Sequence, residues 1–128
     1  MTQSAATRAE RPEDLQQIRE ANRLAFGQAD EADLVDRLRA DGDVLVSLVA
    51  IGTNGRIDGH ILFSRLVIDC ADRTSIEAAA LAPVAVRPDC QRQGLGSALI
   101  RAGIEACRAR GLGVIAVLGH PAYYPRFG

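Results

Sequence analysis

The sequence predicts one α/β domain in which helices flank a mixed, mostly antiparallel sheet. Two helical patterns come first and three apolar strand patterns follow, after which a glycine-containing loop leads into a long helix and a last apolar strand. A chain of 128 residues can bury one substantial core but hardly two. Residues 1–128 are therefore interpreted as a single domain.

The first helix is predicted to open at Pro12, because proline suits the first helical position and the acids after it suit the positive end of the dipole. Apolar residues then recur at helical spacing from Leu15 to Phe26. A second, shorter helix is predicted over residues Glu31 to Ala40, and Asp41-Gly42-Asp43 ends it.

Three strands are predicted to follow as an antiparallel meander. Val44 to Ile51 and Gly59 to Ile68 should be neighbours, since the Asn54-Gly55 pair between them is favoured in tight hairpin turns. Ser75 to Val86 reads as the third strand. It contains Pro83, which cannot donate to a strand ladder and so belongs at an edge or a bulge.

A long helix is predicted from Gly94 to Arg110, with its apolar residues on one face and Gly111 as its C-terminal cap. Val114 to Leu118 is a short, fully apolar run. It is predicted to be a strand buried on both faces and parallel to its predecessor, because a helix connects the two.

The loop before the long helix is a candidate anion site. Backbone N–H groups at a helix start lack partners, the helix dipole adds positive potential, and Gly94 and Gly96 let a phosphate come close. A purely structural turn explains the glycines equally well. Two other phosphate motifs fit poorly, since no Lys-Ser/Thr follows Gly96 and Leu99 replaces the third glycine of the dinucleotide motif.

The segment Gln91-Arg92-Gln93-Gly94-Leu95-Gly96 resembles the signature of the GNAT superfamily of N-acetyltransferases, which is a strand, then Gln/Arg-x-x-Gly-x-Gly/Ala, then a helix. The ending Tyr123 to Gly128 looks like the family's Tyr-x-x-x-Gly-Phe segment. Phe26 to Arg39, with Gly119-His120-Pro121, resembles the YhbS-like branch. The resemblance covers nearly the whole chain. It implies the GNAT fold, with a V-shaped splay between the fourth and fifth strands.

By the same resemblance the chain is expected to transfer an acetyl group directly from acetyl-CoA, its cosubstrate, to a primary amine. A bulge at Pro83 would open the cleft, backbone groups of the strand would pair with pantetheine, and the loop would surround the pyrophosphate. The implied cofactor-binding residues are Val84, Ala85, Val86, Gln91, Arg92, Gln93, Gly94, Leu95, Gly96 and Ser97.

Two residues are candidates for the chemistry. Tyr124 matches the family tyrosine that protonates the departing thiolate, and a phenol with a reference pKa of about 10 stays protonated at neutral pH. Packing under the last helix is its alternative role. Glu77 is the carboxylate candidate for the general base, although a solvent-facing strand position explains it too.

Histidines and further acids complete the candidates. His60 and His120 have the reference pKa of about 6.5 that suits a base, but His120 is predicted mainly to cap the last helical turn. Acids at the start of the second helix could attract an amine, and they are interpreted mainly as a capping box. These acids are Asp30, Glu31 and Asp33.

Composition argues against several other functions. Fifteen basic residues are interleaved with sixteen acidic ones, which gives a net charge of -1 and no footprint for nucleic acid or an anionic membrane. Three cysteines with no C-x-x-C spacing argue against a disulfide framework and a structural zinc site, and no metal is predicted. No apolar run reaches the roughly 20 residues that cross a bilayer, and the start lacks an export-signal pattern. A cytoplasmic location is expected.

The end of the printed sequence raises one more expectation. Family members usually continue with two more strands, so the domain is expected to lack that strand pair. A homodimer through the open edge of Val114 to Leu118 is one expected consequence. Two other functions are kept open: a non-catalytic acyl-CoA-binding or scaffold module, and a nucleotide-binding protein.

Overall fold

The computed structural model describes residues 6–52 and 54–117. Five strands and three α-helices follow one another along these ranges. They are β1 (Ala6–Ala9), α1 (Leu15–Phe26), α2 (Asp30–Ala40), β2 (Val44–Ile51), β3 (Ile57–Asp69), β4 (Ser75–Val86), α3 (Leu95–Ala109) and β5 (Ile115–Val117). No helix in this part of the chain is long and apolar enough to cross a membrane.

The strands form one sheet in the order β1-β2-β3-β4-β5. Every neighbouring pair is antiparallel except β4 and β5, which are parallel because α3 connects them. The predicted mixed, mostly antiparallel sheet with flanking helices is confirmed. Strand β1 was not predicted, because its four residues, Ala6 to Ala9, are mostly exposed and carry no alternating apolar pattern.

Strand β4 has a bulge where the sequence predicted one. Ala82 and Pro83 together lie opposite the single residue Leu62 of β3, so the register shifts at this point. Strand β5 pairs with β4 only at residues 79–81. Among the described residues, the segment 82–86 therefore has no strand partner on its side away from β3.

The sheet buries a core on each face. Helix α3 lies close to one face, because a Cβ atom placed on Gly103 would lie 2.2 Å from Cε1 of Phe63. Only glycine allows this approach. On the other face α1 packs over the sheet through Ile18, which meets Val49 and Ile57. The N-terminal end of α3 and the bulged half of β4 are thus held by one packed scaffold.

The last strand differs from its prediction. It covers Ile115 to Val117 rather than Val114 to Leu118, whose last residue lies outside the described ranges. Val114 is 38% exposed, and Ile115 and Ala116 are only half-buried. The expectation of burial on both faces was therefore wrong for these residues, because β5 is the outermost described strand.

The predicted capping box of the second helix is also wrong. Helix α2 begins at Asp30, one position earlier than predicted, so its N-cap is Ala29 and no side chain caps it. The backbone N–H of Asp33 donates to the carbonyl of Ala29 at 2.8 Å. The carboxylates of Asp33 and Asp36 instead accept hydrogen bonds from Arg19 of α1 at 2.8 and 2.7 Å. These acids join the two helices rather than cap one.

Candidate functional site

The loop that precedes α3 has an unusual backbone. Arg92 has a φ of 67° and Gly94 a φ of 82°, both in the left-handed region. The first bond inside the helix runs from the N–H of Ala98 to the carbonyl of Gly94 at 3.0 Å. The N–H groups of residues 95–97 therefore have no partner within the helix, and no side chain caps its start. Such a concave set of N–H groups suits an anion.

Gly94 is required here for its conformation rather than for space. A Cβ atom at this position would meet nothing within 4 Å, but an L-residue at positive φ is strained. Arg92 adopts the same region with a side chain, at a cost on the order of 1 kcal/mol. Strain of this kind is typical of loops that bind ligands.

The backbone of β4 offers polar groups along its unpaired edge. The N–H of Arg87 donates to the carbonyl of Asp58 in β3 at 2.8 Å. Since N–H and C=O groups alternate sides along a strand, Ala85 also faces β3, and Val84 and Val86 face the opposite edge. Of the three residues predicted to pair with pantetheine, Ala85 therefore has its backbone N–H and C=O directed toward β3, and only Val84 and Val86 direct theirs to the free edge.

The predicted loop residues are placed together at this end of the sheet, but they differ in exposure. Gln91 is exposed, and its side-chain amide donates to the carbonyl of Val86 at 3.1 Å. Arg92 and Gln93 are also exposed, whereas Leu95 is buried in the core beneath the loop. Backbone rather than side-chain groups of Leu95 are thus available to a ligand.

Cys90, just before the loop, is a buried thiol. It is 7% exposed, and burial raises its pKa above the ordinary value, with the neighbouring carboxylate of Asp89 adding to the effect. A protonated, enclosed thiol is a poor nucleophile. Within the described ranges, no group of three or more histidine, cysteine or acidic side chains could hold a metal ion.

Glu77 lies away from this loop. It is exposed near the start of β4 and lines a shallow pocket together with Arg65 and Arg110. About 23 Å of extended strand, at about 3.3 Å per residue, separates Glu77 from Val84. Its role as a base stays a prediction.

A chain of polar side chains that the sequence did not reveal crosses the interior on the α1 face. Arg39 binds the carboxylate of Glu10, which also accepts a hydrogen bond from the hydroxyl of Ser47. Since the Ser47 proton is used in this way, its oxygen accepts from Nε2–H of His60 at 2.9 Å. Nδ1 of His60 then accepts from the amide of Asn22 at 3.1 Å. The negative charge of Glu10 therefore determines which group donates and which accepts in each of these hydrogen bonds.

His60 is fully buried in this arrangement. Burial lowers the pKa of His60 to about 3, and the positive charge of Arg39 contributes in the same direction. The imidazole is therefore neutral and enclosed at physiological pH, so it does not serve as a base for a ligand. The side-chain oxygen of Asn22 is buried with no hydrogen-bond partner in the described part of the chain.

Three further predicted residues fall outside the described ranges. Tyr124, its neighbour Tyr123 and His120 all lie after residue 117. The same holds for the ending that resembles the family's Tyr-x-x-x-Gly-Phe segment.

The sequence matches a known family model and several known proteins. The model of the Acetyltransferase (GNAT) domain matches residues 6–128. The uncharacterized N-acetyltransferase YjhQ of Escherichia coli K12 is 42% identical over 116 residues, which cover 90% of this chain and 64% of YjhQ. The chain thus spans less than two thirds of that relative.

Two solved structures are similar over almost the whole chain. A GNAT family acetyltransferase from Brucella melitensis, in complex with acetyl-CoA, superposes with a TM-score of 0.88 at 37% identity, covering 96% of this chain and 80% of that one. YhbS from Escherichia coli, in complex with CoA, gives a TM-score of 0.88 at 34% identity, covering 98% and 68%. By its sequence and its fold, this chain belongs to the GNAT acetyltransferase family.

Proposed function

We propose that this protein is an acetyl-CoA-dependent N-acetyltransferase that transfers the acetyl group directly to a primary amine. The observation that carries the proposal is the left-handed backbone of the loop at Arg92 and Gly94. This loop leads into the uncapped N-terminus of α3, beside the unpaired edge of β4. The Brucella relative bound to acetyl-CoA and the YhbS structure bound to CoA support this choice of cosubstrate.

Acetyl-CoA would use both features at once. Its pyrophosphate would accept hydrogen bonds from the N–H groups of residues 95–97, which have no partner within the helix and where the helix dipole adds positive potential. Its pantetheine amides would pair with backbone groups of Val84 and Val86, as an added strand does. The bulge at Pro83 would let the pantetheine arm enter beside β4.

The reaction requires a neutral amine whose nitrogen attacks the thioester carbonyl carbon. A C–N bond forms, the C–S bond breaks, and the sulfur leaves with the electron pair as a thiolate. The phenol of Tyr124 would give its proton to this thiolate, producing the free thiol of coenzyme A. The ammonium proton of the acceptor passes to a base.

That base is proposed to be ordered water, with Glu77 as the carboxylate alternative. A direct transfer needs a separation of about 3 Å or one bridging water, and the position of Glu77 at the start of β4 does not favour this. The acceptor is a primary amine on a small molecule or a peptide. The absence of a basic footprint in the sequence favours an acceptor that is neither a nucleic acid nor a membrane surface.

The test is a thiol-release assay with acetyl-CoA and a broad panel of amines. At least one amine should release coenzyme A, and Tyr124→Phe should slow this release tenfold or more without weakening acetyl-CoA binding. Tyr123→Phe is the matched control and should keep the activity. Equal rates for wild type and Tyr124→Phe would refute the proton-donor role. Acetyl-CoA binding with no amine acetylated would instead favour the non-catalytic acyl-CoA-binding module.

A further inference from the structure

An arginine outside the phosphate loop connects that loop to the β2–β3 hairpin. Arg56 stands at the end of the hairpin turn, just before β3, and its Nε donates to a carboxylate oxygen of Asp58 at 2.7 Å. Its Nη2 lies 3.3 Å from a carboxylate oxygen of Asp89 and 3.5 Å from the sulfur of Cys90. Asp89 and Cys90 belong to the short turn that leads directly into the loop.

The anchor at the hairpin side is well fixed. Asp58 is 8% exposed, and its other carboxylate oxygen lies against Gly52, where a Cβ atom would approach it to 2.1 Å. The carbonyl of Arg56 in turn accepts from the N–H of Gly52 at 2.8 Å. Arg56, whose side chain is 36% exposed, is therefore tied to the hairpin both through its backbone carbonyl and through its guanidinium.

The charge of Asp89 gives the contact a function. Its hydrogen bond from Cys90 and its pairing with Arg56 both lower the pKa of the Asp89 carboxyl, so it is ionised at neutral pH. An ionised carboxylate two positions before Gln91 would repel a pyrophosphate bound at the loop. Arg56 partly offsets this charge at 3.3 Å, and its closer bond to Asp58, at 2.7 Å, keeps it in place.

We propose that Arg56 is a positioning residue for the acetyl-CoA loop, which it serves through Asp89 by partly offsetting the negative charge of that carboxylate beside the loop. This inference rests on the proposed function. It concerns recognition of the pyrophosphate and not the transfer step. Loss of Arg56 should therefore raise KM and leave kcat nearly unchanged.

The experiment measures the Kd of acetyl-CoA by calorimetry and, with an active amine, KM and kcat. Arg56→Gln should raise Kd and KM three- to tenfold at low salt with kcat changed less than twofold, and high salt should shrink the difference. Arg56→Gln combined with Asp89→Asn should restore Kd to within twofold of wild type. A merely structural role would not give this rescue, because the second change adds no contact.

Two controls keep the result interpretable. Arg108→Gln removes the same charge from an exposed ion pair with Glu105 near the far end of α3, and it should leave Kd unchanged. Asp89→Asn alone should bind acetyl-CoA as tightly as wild type or more tightly, and it tests the proposal even if Arg56→Gln fails to fold. Weaker binding by Asp89→Asn would overturn the inference.

The proposed function and the role of Arg56 can be refuted separately. Wild-type protein that does not bind acetyl-CoA would overturn the proposed function itself. Wild-type protein that binds acetyl-CoA, together with an Arg56→Gln variant that binds it equally well, would overturn only the role of Arg56. A loss in Arg56→Gln that Asp89→Asn does not restore would also overturn that role.

Discussion

Nδ1 of His60 lies 3.1 Å from the side-chain amide nitrogen of Asn22, which joins the first half of β3 to the buried side of α1. Both residues are fully buried. Because Asn22 also donates to the carbonyl of Ile18 at 3.0 Å, its orientation is fixed from both sides. The imidazole is consequently held neutral, and this has a measurable effect on stability.

Stability should fall as the pH drops because of His60. Its pKa in the folded protein, about 3, is below the unfolded reference of about 6.5, so the unfolded chain binds one more proton between these values. The folded state should lose about 1.4 kcal/mol per pH unit across this window from His60 alone. Urea unfolding of wild type and His60→Gln at pH 7.0, and at intervals down to about 4, measures the difference.

Other titrating groups cancel in that comparison. The pKa of Asp14 is lowered by its hydrogen bond from Arg8, but this pair is present in both proteins. The stability advantage of wild type over His60→Gln should therefore shrink as the pH falls below about 6. An advantage that is independent of pH would contradict the buried, neutral state of His60.

Gly103→Ala should destabilise the protein by about 1–3 kcal/mol, although alanine is the better helix former. The reason is the 2.2 Å approach of the new Cβ atom to Phe63. Gly113→Ala, where a Cβ atom meets nothing within 4 Å, is the control and should cause no such loss. Phe63→Leu should reduce the cost of Gly103→Ala, and full additivity of the two changes would argue against the contact.

Gly94→Ala should weaken acetyl-CoA binding tenfold or more and lower stability by about 1–2 kcal/mol, because alanine resists the left-handed backbone of the loop. Gly42→Ala is a matched control. Gly42 has a φ of 73° and open space around its Cα, but it lies in the turn after α2. The two variants should lose similar stability in thermal melts, and only Gly94→Ala should bind acetyl-CoA less well. A similar binding loss in both would mean that the loop backbone has no special role.

Glu77→Gln should keep kcat within about threefold of wild type, since roughly 23 Å of strand separates Glu77 from Val84. The pH dependence of kcat at saturating acetyl-CoA should also be unchanged. A loss of a hundredfold, with the acidic limb of the pH profile removed, would establish Glu77 as the base and require the amine to bind near the start of β4.

Most of the fold could be predicted from local signals. The apolar spacing of α1, the Asn54-Gly55 turn and the single proline of β4 each determine their element through local chemistry, and β4 has the predicted bounds of Ser75 to Val86. The start of α2 was misplaced by one residue at Asp30 because several acids there are all acceptable in a first turn. Strand β1 depends on pairing with β2, which local sequence does not reveal.

The site was predictable in part for the same reason. The glycines of the loop predict a candidate anion site, but the left-handed backbone of Arg92 and the contact between Arg56 and Asp89 depend on tertiary structure. Arg56 and Asp89 are far apart in sequence, and nothing in either segment alone indicates the pairing. The buried hydrogen-bonded side chains around His60 were not predicted either, because a histidine in an apolar strand gives no sign of its partners.

Calorimetric titration of the 128-residue protein with acetyl-CoA, S-acetylpantetheine and ATP shows whether the loop and the edge of β4 recognise acetyl-CoA together. Acetyl-CoA should bind at least tenfold more tightly than ATP, which lacks the pantetheine arm that pairs with β4. It should also bind at least a hundredfold more tightly than S-acetylpantetheine, which lacks the pyrophosphate. ATP binding as tightly as acetyl-CoA, or S-acetylpantetheine binding equally well, would contradict recognition by the loop from Gln91 to Gly96 together with the edge of β4.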